Sequence, residues 1–220
     1  ASFWSKRDIG SEPSAAPTST RSIKYGIALS VSVRRTVVSG FHAIEIENRK
    51  LRAVVLPSLG GRVWELTDLD RGRQWIWHRS DVPLTAPHPE ARYDEVWAGG
   101  WEELFPNDAP GRFEGRDLPD HGEWWALDWA VADMTSGTEA VVRLRADTAV
   151  RSTKCTKEFR LAEDSDTLSV TYRVENLEAE GFHFLFKQHL PIALTTSCRL
   201  ALPGGRVTAV DPDFGTVLPE

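Results

Sequence analysis

Leu168-Ser169-Val170-Thr171-Tyr172-Arg173-Val174 is the stretch on which the fold turns. Leu168, Val170, Tyr172 and Val174 take every second position, and Ser169, Thr171 and Arg173 fill the places between. Successive side chains of an extended chain point to opposite faces, so the pattern predicts a strand with one face on a core and the other in water. The same alternation recurs on either side. Ala43-Ile44-Glu45-Ile46-Glu47, the turn Asn48-Arg49 and Leu51-Arg52-Ala53-Val54-Val55-Leu56 predict a hairpin stopped by Pro57. Gly60-Gly61 opens a strand over 62–67, and 75–77, 124–131, 140–145, 154–161 and 182–194 are further strand candidates. At least nine short strands, with no helical period beyond two turns, predict an all-β fold with little helix: a large antiparallel β-sandwich.

The rest of the chain frames that domain. Residues 1–24 are rich in Ser, Pro, Thr and Ala without apolar periodicity, and predict a disordered tail; 25–220 reads as one sandwich domain. Between about 80 and 120 the alternation dissolves into Pro and Gly, yet Trp97, Trp101, Leu104 and Phe105 argue for a packed segment over the mouth of the sandwich. A net charge of -6 offers no basic footprint for nucleic acid. The chain has no apolar run of membrane-spanning length and no signal-peptide core, which predicts a soluble, cytoplasmic protein with no membrane partner. Cys155 and Cys198 are too few for a stapled secreted scaffold and favour a reducing compartment. Nine Trp against one Met is the unusual entry: most such rings fill cores, and a sugar pocket would use the same flat faces.

The sequence lacks a P-loop, a dinucleotide fingerprint, an HExxH motif and paired CxxC motifs, and its six His lack metal-site spacing; no metal and no cofactor are expected. Two His stand in informative surroundings. His121 lies in Leu118-Pro119-Asp120-His121-Gly122-Glu123-Trp124-Trp125, where the irregular segment re-enters a strand. His189 ends Phe182-His183-Phe184-Leu185-Phe186-Lys187-Gln188-His189, which reads as a central, buried strand. Polar groups there would need partners or a cavity holding a polar ligand.

Four segments in order, namely 54–63 (VVLPSLGGRV), 99–107 (GGWEELFPN), 118–125 (LPDHGEWW) and 187–191 (KQHLP), resemble the aldose 1-epimerase, or galactose mutarotase-like, superfamily, including its hexose-6-phosphate epimerase relatives. The resemblance covers about residues 36–210 and implies the galactose mutarotase-like supersandwich. It further implies a cofactor-free epimerase that interconverts anomers of a small-molecule sugar by opening the ring. Arg62 corresponds to the arginine that contacts the sugar, His121 to the histidine that hydrogen-bonds the ring, and His189 to the general acid. Trp101, Glu123 and Trp124 complete the expected substrate contacts. Leu190 separates His189 from Pro191, where members commonly have proline directly after the histidine. The family's base is a glutamate later in the chain. Only the terminal Glu220 follows His189, so the base and the strands that complete the sandwich are expected beyond residue 220. A non-catalytic carbohydrate-binding protein on the same fold is the alternative, needing neither acid nor base.

Overall fold

A computed structural model describes residues 31–87, 91–199, 201 and 204. The expected tail over 1–24 lies outside the described residues, as do the ends of the proposed domain. Five strands, β1 (Val31–Val38), β2 (Phe41–Asn48), β3 (Leu51–Leu56), β4 (Arg62–Asp68) and β5 (Arg73–Gln74), form an antiparallel meander in chain order. A long connection follows. It contains one helical turn, α1 (Tyr93–Val96), the short strands β6 (Glu102–Leu104), β7 (Gly111–Phe113) and β8 (Arg116–Leu118), and a 3-10 turn at Trp124–Ala126. A second antiparallel meander then runs through β9 (Ala130–Thr135), β10 (Glu139–Thr148), β11 (Thr153–Ala162) and β12 (Ser169–Asn176). Last comes β13 (Lys187–His189), which returns to pair with β6. The protein is an all-β sandwich, 51% strand and 4% helix, so strand pairing rather than helix packing positions its side chains.

The alternating sequence accounts for how the sheets meet. Ile44 and Ile46 of β2 and Ala53 and Val55 of β3 point inward against Ala140, Val142 and Leu144 of β10 and Phe159 and Leu161 of β11, all buried in one cluster with Phe105, Trp124 and Trp129. Each large side chain in this layer contributes about 1.5–3 kcal/mol of burial. Ala43, Val54 and Leu56 face the other way and are covered by Phe41, Trp64 and Leu84, the last from the irregular connection. Thus β2 and β3 are buried on both faces. Gly60, at φ +78°, lets the β3–β4 turn pack against the 3-10 turn of the connection: a Cβ there would lie 2.5 Å from the Trp125 carbonyl oxygen.

Two strand expectations are corrected. Residues 182–194 form neither a long nor a buried strand; Lys187–His189 pairs as a short strand and Ile192 makes an isolated bridge to Ile76, while Phe184, Leu185, Leu190 and Ile192 are exposed. Residues 124–131 begin as a 3-10 turn, because Leu127 and Trp129 bond to Gly60 and Pro57 across the connection instead of extending a ladder. The stretch at 168–174 alternates as expected, but its apolar side is only partly covered by described residues.

Both cysteines are free thiols. Burial pushes the Cys155 thiol up, whereas hydrogen bonding to Thr195, aided by Arg73, lowers Cys198 to about 7. These contacts stabilise the thiolate, so the reactive fraction grows as pH rises through that value. Iodoacetamide should therefore alkylate Cys198 with a midpoint near pH 7 and spare Cys155 in the folded protein, as peptide mass mapping would read.

Candidate functional site

Pairing of β6 with β13 places His189 opposite Glu102 and Gln188 opposite Glu103. Successive residues of a strand diverge, and the two neighbouring glutamates are buried on opposite sides of β6, each with its own cation. Glu102, fully buried, is 2.7 Å from the Arg62 guanidinium. Glu103 is 2.5 Å from the ammonium of Lys157 and accepts a hydrogen bond from the Tyr172 hydroxyl. Lys157 is itself fully buried, donates to the Gly60 carbonyl at 2.6 Å and lies over the Trp129 ring. Burying a lone charge would cost several kcal/mol, and pairing removes much of that penalty.

Tyr93 ties the site together. Its hydroxyl donates to Glu102 Oε1 and lies 2.5 Å from Nδ1 of His189. Its ring stacks on His121 at 3.9 Å and 11°, and meets Trp125 edge-on. Burial and the neighbouring Glu102 carboxylate push the Tyr93 hydroxyl well above the ordinary phenol range, so it stays protonated. The other side of His121 is set by Asp120, whose Oδ1 is 2.7 Å from Nδ1 while Oδ2 accepts from the Tyr93 amide. Partial burial opposes ionisation of Asp120, but the Tyr93 amide and the His121 ring hold it below the usual carboxylate value. Trp97 packs on His189 at 4.6 Å and reaches the exposed Trp77 at 5.9 Å. The two histidines therefore belong to one aromatic array, Trp77–Trp97–His189–Tyr93–His121, half-exposed at the histidines.

The other expected contacts occupy different places. Arg62 is buried and directs its guanidinium to the carbonyls of Leu59 and Gly99 at 2.9 Å and of Trp125, besides Glu102. Trp124 has no exposed surface and sits in the sandwich core, edge-on to Trp129. Glu123 accepts from the backbone amides of Ala149 and Val150, fastening the β10–β11 turn. Trp101 is half-buried and donates to Gln188 at 2.7 Å. Sequence reading missed Tyr93, Asp120 and Trp97 as site residues. The only available signal was their position in the aromatic-bearing irregular segment.

Among the described residues, four cavities of about 370–700 Å³ are lined by neither histidine. One of about 480 Å³, lined by Asp120, Gly122 and Trp125, adjoins His121. Another, of about 700 Å³, lies on the outer face of the β9–β12 sheet among Arg145, Lys154, Arg173 and acidic neighbours, and reads as a solvated polar face. Among the described residues, no three His, Cys, Asp or Glu side chains converge as a metal site. No helix there is long and apolar enough to cross a membrane.

Comparison with known proteins bears on the fold. No family model and no curated protein sequence matches the chain. Among solved structures, the chain is similar to a "putative mutarotase (YeaD)" from Salmonella typhimurium, at 13% identity and TM-score 0.50, over 65% of this chain and 46% of that one. It is also similar to the Slr1438 protein of Synechocystis sp. PCC 6803, at 20% identity and TM-score 0.48, over 70% of this chain and 52% of that one. The chain spans about half the length of these structures. The likeness to the Salmonella protein is one of fold.

Proposed function

We propose that the protein is a carbohydrate 1-epimerase of the mutarotase type, acting on a small-molecule aldose without a cofactor. The observation that supports this reading best is the convergence of His121 and His189, 68 positions apart in sequence (189 − 121), on the single ring of Tyr93. A sugar ring resting on the Trp97 and Trp77 faces would meet His189 as the acid for its ring oxygen and His121 as a hydrogen-bonding partner. Trp101 donates to Gln188 on the Glu103 side of the β6–β13 pair, away from His189, and supports the strand pairing. Arg62 acts at one remove, as the counter-ion of Glu102. Trp124 and Glu123 support the framework from the core and from the β10–β11 turn.

A second reading, a carbohydrate-binding protein without turnover, is favoured by one observation. The carboxylates nearest the histidines are all engaged: Glu102 with Arg62 and Tyr93, Glu103 with Lys157 and Tyr172, Asp120 with His121, and Asp108 with Lys187.

Anomer exchange by NMR, on a panel of hexoses and hexose 6-phosphates, separates the two. The enzyme reading expects accelerated exchange that falls by about 10²–10⁴-fold in His189→Ala. Sugar-dependent shifts without acceleration would support the binding reading, and the absence of any response would overturn both.

A further inference from the structure

The Tyr93 hydroxyl has one proton and two neighbours close enough to receive it, Glu102 Oε1 and His189 Nδ1. Glu102 is paired with Arg62 and, as a carboxylate, can only accept. If Tyr93 gave its proton to His189 instead, its oxygen lone pairs would face the carboxylate oxygen at hydrogen-bond distance with no proton between them. That arrangement is repulsive in a buried setting. The proton therefore points to Glu102, and the phenol oxygen is left as an acceptor 2.5 Å from Nδ1. An acceptor at that distance requires Nδ1 to carry a hydrogen. Among the described residues, Nε2 of His189 has no hydrogen-bond partner, and the side chain is 31% exposed.

We infer that Tyr93 is a positioning residue that, anchored by Arg62 and Glu102, holds the neutral imidazole of His189 in the Nδ1–H tautomer and leaves Nε2 as the nitrogen that exchanges protons with a ligand. The hydrogen bond at one ring nitrogen decides which tautomer the other presents, as outer partners do for histidines that ligate metals. This inference deepens the epimerase reading and rests on His189 as its acid. In that reaction the imidazolium gives its Nε2 proton to the sugar ring oxygen, which keeps the electron pair of the breaking bond to C1. A carboxylate or water takes the C1 hydroxyl proton as the carbonyl forms. What remains on His189 is the neutral Nδ1–H form, the tautomer that Tyr93 stabilises, and Nε2 recovers its proton on closure. The Nδ1 proton never leaves.

The test reads tautomers directly and needs no sugar. Long-range ¹H–¹⁵N correlation on ¹⁵N-histidine protein, at about pH 8, above the ordinary imidazole range, gives distinct patterns for the two forms; the His189 signals are assigned by their loss in His189→Ala. The expected result is a predominantly Nδ1–H pattern for His189. In Tyr93→Phe it should become a minority, with the His121 signals little moved because the phenylalanine ring keeps the stack. An Nε2–H pattern in the unmodified protein overturns the inference, as does an Nδ1–H pattern that survives Tyr93→Phe. Should Tyr93→Phe fail to fold, the unmodified protein still decides. Faster anomer exchange together with an Nε2–H pattern removes this inference alone. The expected pattern without any exchange removes the epimerase reading and keeps the tautomer assignment.

Discussion

Replacing Arg62 with alanine is expected to lower the unfolding free energy by about 3–5 kcal/mol, because it strands a buried carboxylate. Glu102 has no solvent exposure, and its other contact is the neutral Tyr93 hydroxyl. The substitution also frees the Leu59 and Gly99 carbonyls that the guanidinium now satisfies. Denaturant midpoints would measure the loss. Arg62→Met, which keeps most of the volume, should be nearly as damaging, and adding Glu102→Met to it should recover much of the stability, since the penalty belongs to the unpaired charge rather than to missing bulk. A loss below about 1 kcal/mol would mean that water or a proton reaches Glu102 in the folded protein.

Gly122→Ala is the second large effect, at about 2–5 kcal/mol from a left-handed backbone and overpacking combined. Gly122 has φ +71°, and a Cβ there would stand 2.2 Å from the Phe105 carbonyl oxygen and 2.5 Å from its carbon. Both are backbone atoms, so no side-chain rotation relieves the clash. Gly115 makes the natural control: its φ is +75°, but nothing lies within 4 Å of its missing Cβ. Gly115→Ala should cost only the backbone term, about 1–2 kcal/mol. Comparing the two unfolding midpoints isolates the steric part, and equal costs would show that the 119–123 turn relaxes freely. Because His121 also has a left-handed backbone, at φ 60°, Gly122→Ala should disturb the His121 signals as well.

How legible the molecule was depended on whether a segment's neighbours were local. The strands near 43–56, 140–145 and 154–161 alternate in sequence and pair with chain neighbours, so their residues carried enough information to read them. The segment at 182–194 has equally apolar residues, but nothing in it says whether a layer covers it; Phe184 and Ile192 are exposed among the described residues. Glu102-Glu103 looks like a solvated acidic pair, and only the distant Arg62 and Lys157 turn it into two buried ion pairs. Tyr93 was the least legible of all. It lies in a four-residue helix without a side-chain cap, and its place between the histidines arises from packing of β6, β13 and the 120–125 turn. His121 and His189 were visible as candidates because short motifs surround them, while the geometry that joins them is tertiary.

The meander topology of the two sheets shapes how the chain finds this arrangement. Within each sheet every ladder joins strands that follow one another, β1 through β5 and β9 through β12, so each can grow hairpin by hairpin on a microsecond scale. The bonds that clasp one sheet to the other span far more chain. Val33 bonds to Ser136 across 103 residues, and the Asn48 side chain donates to the Ala162 and Ser165 carbonyls across 114 and 117. Loop-closure entropy is therefore concentrated in one docking event rather than spread along the ladders. That event also completes the site, since Glu103 reaches Lys157 only once the sheets have met.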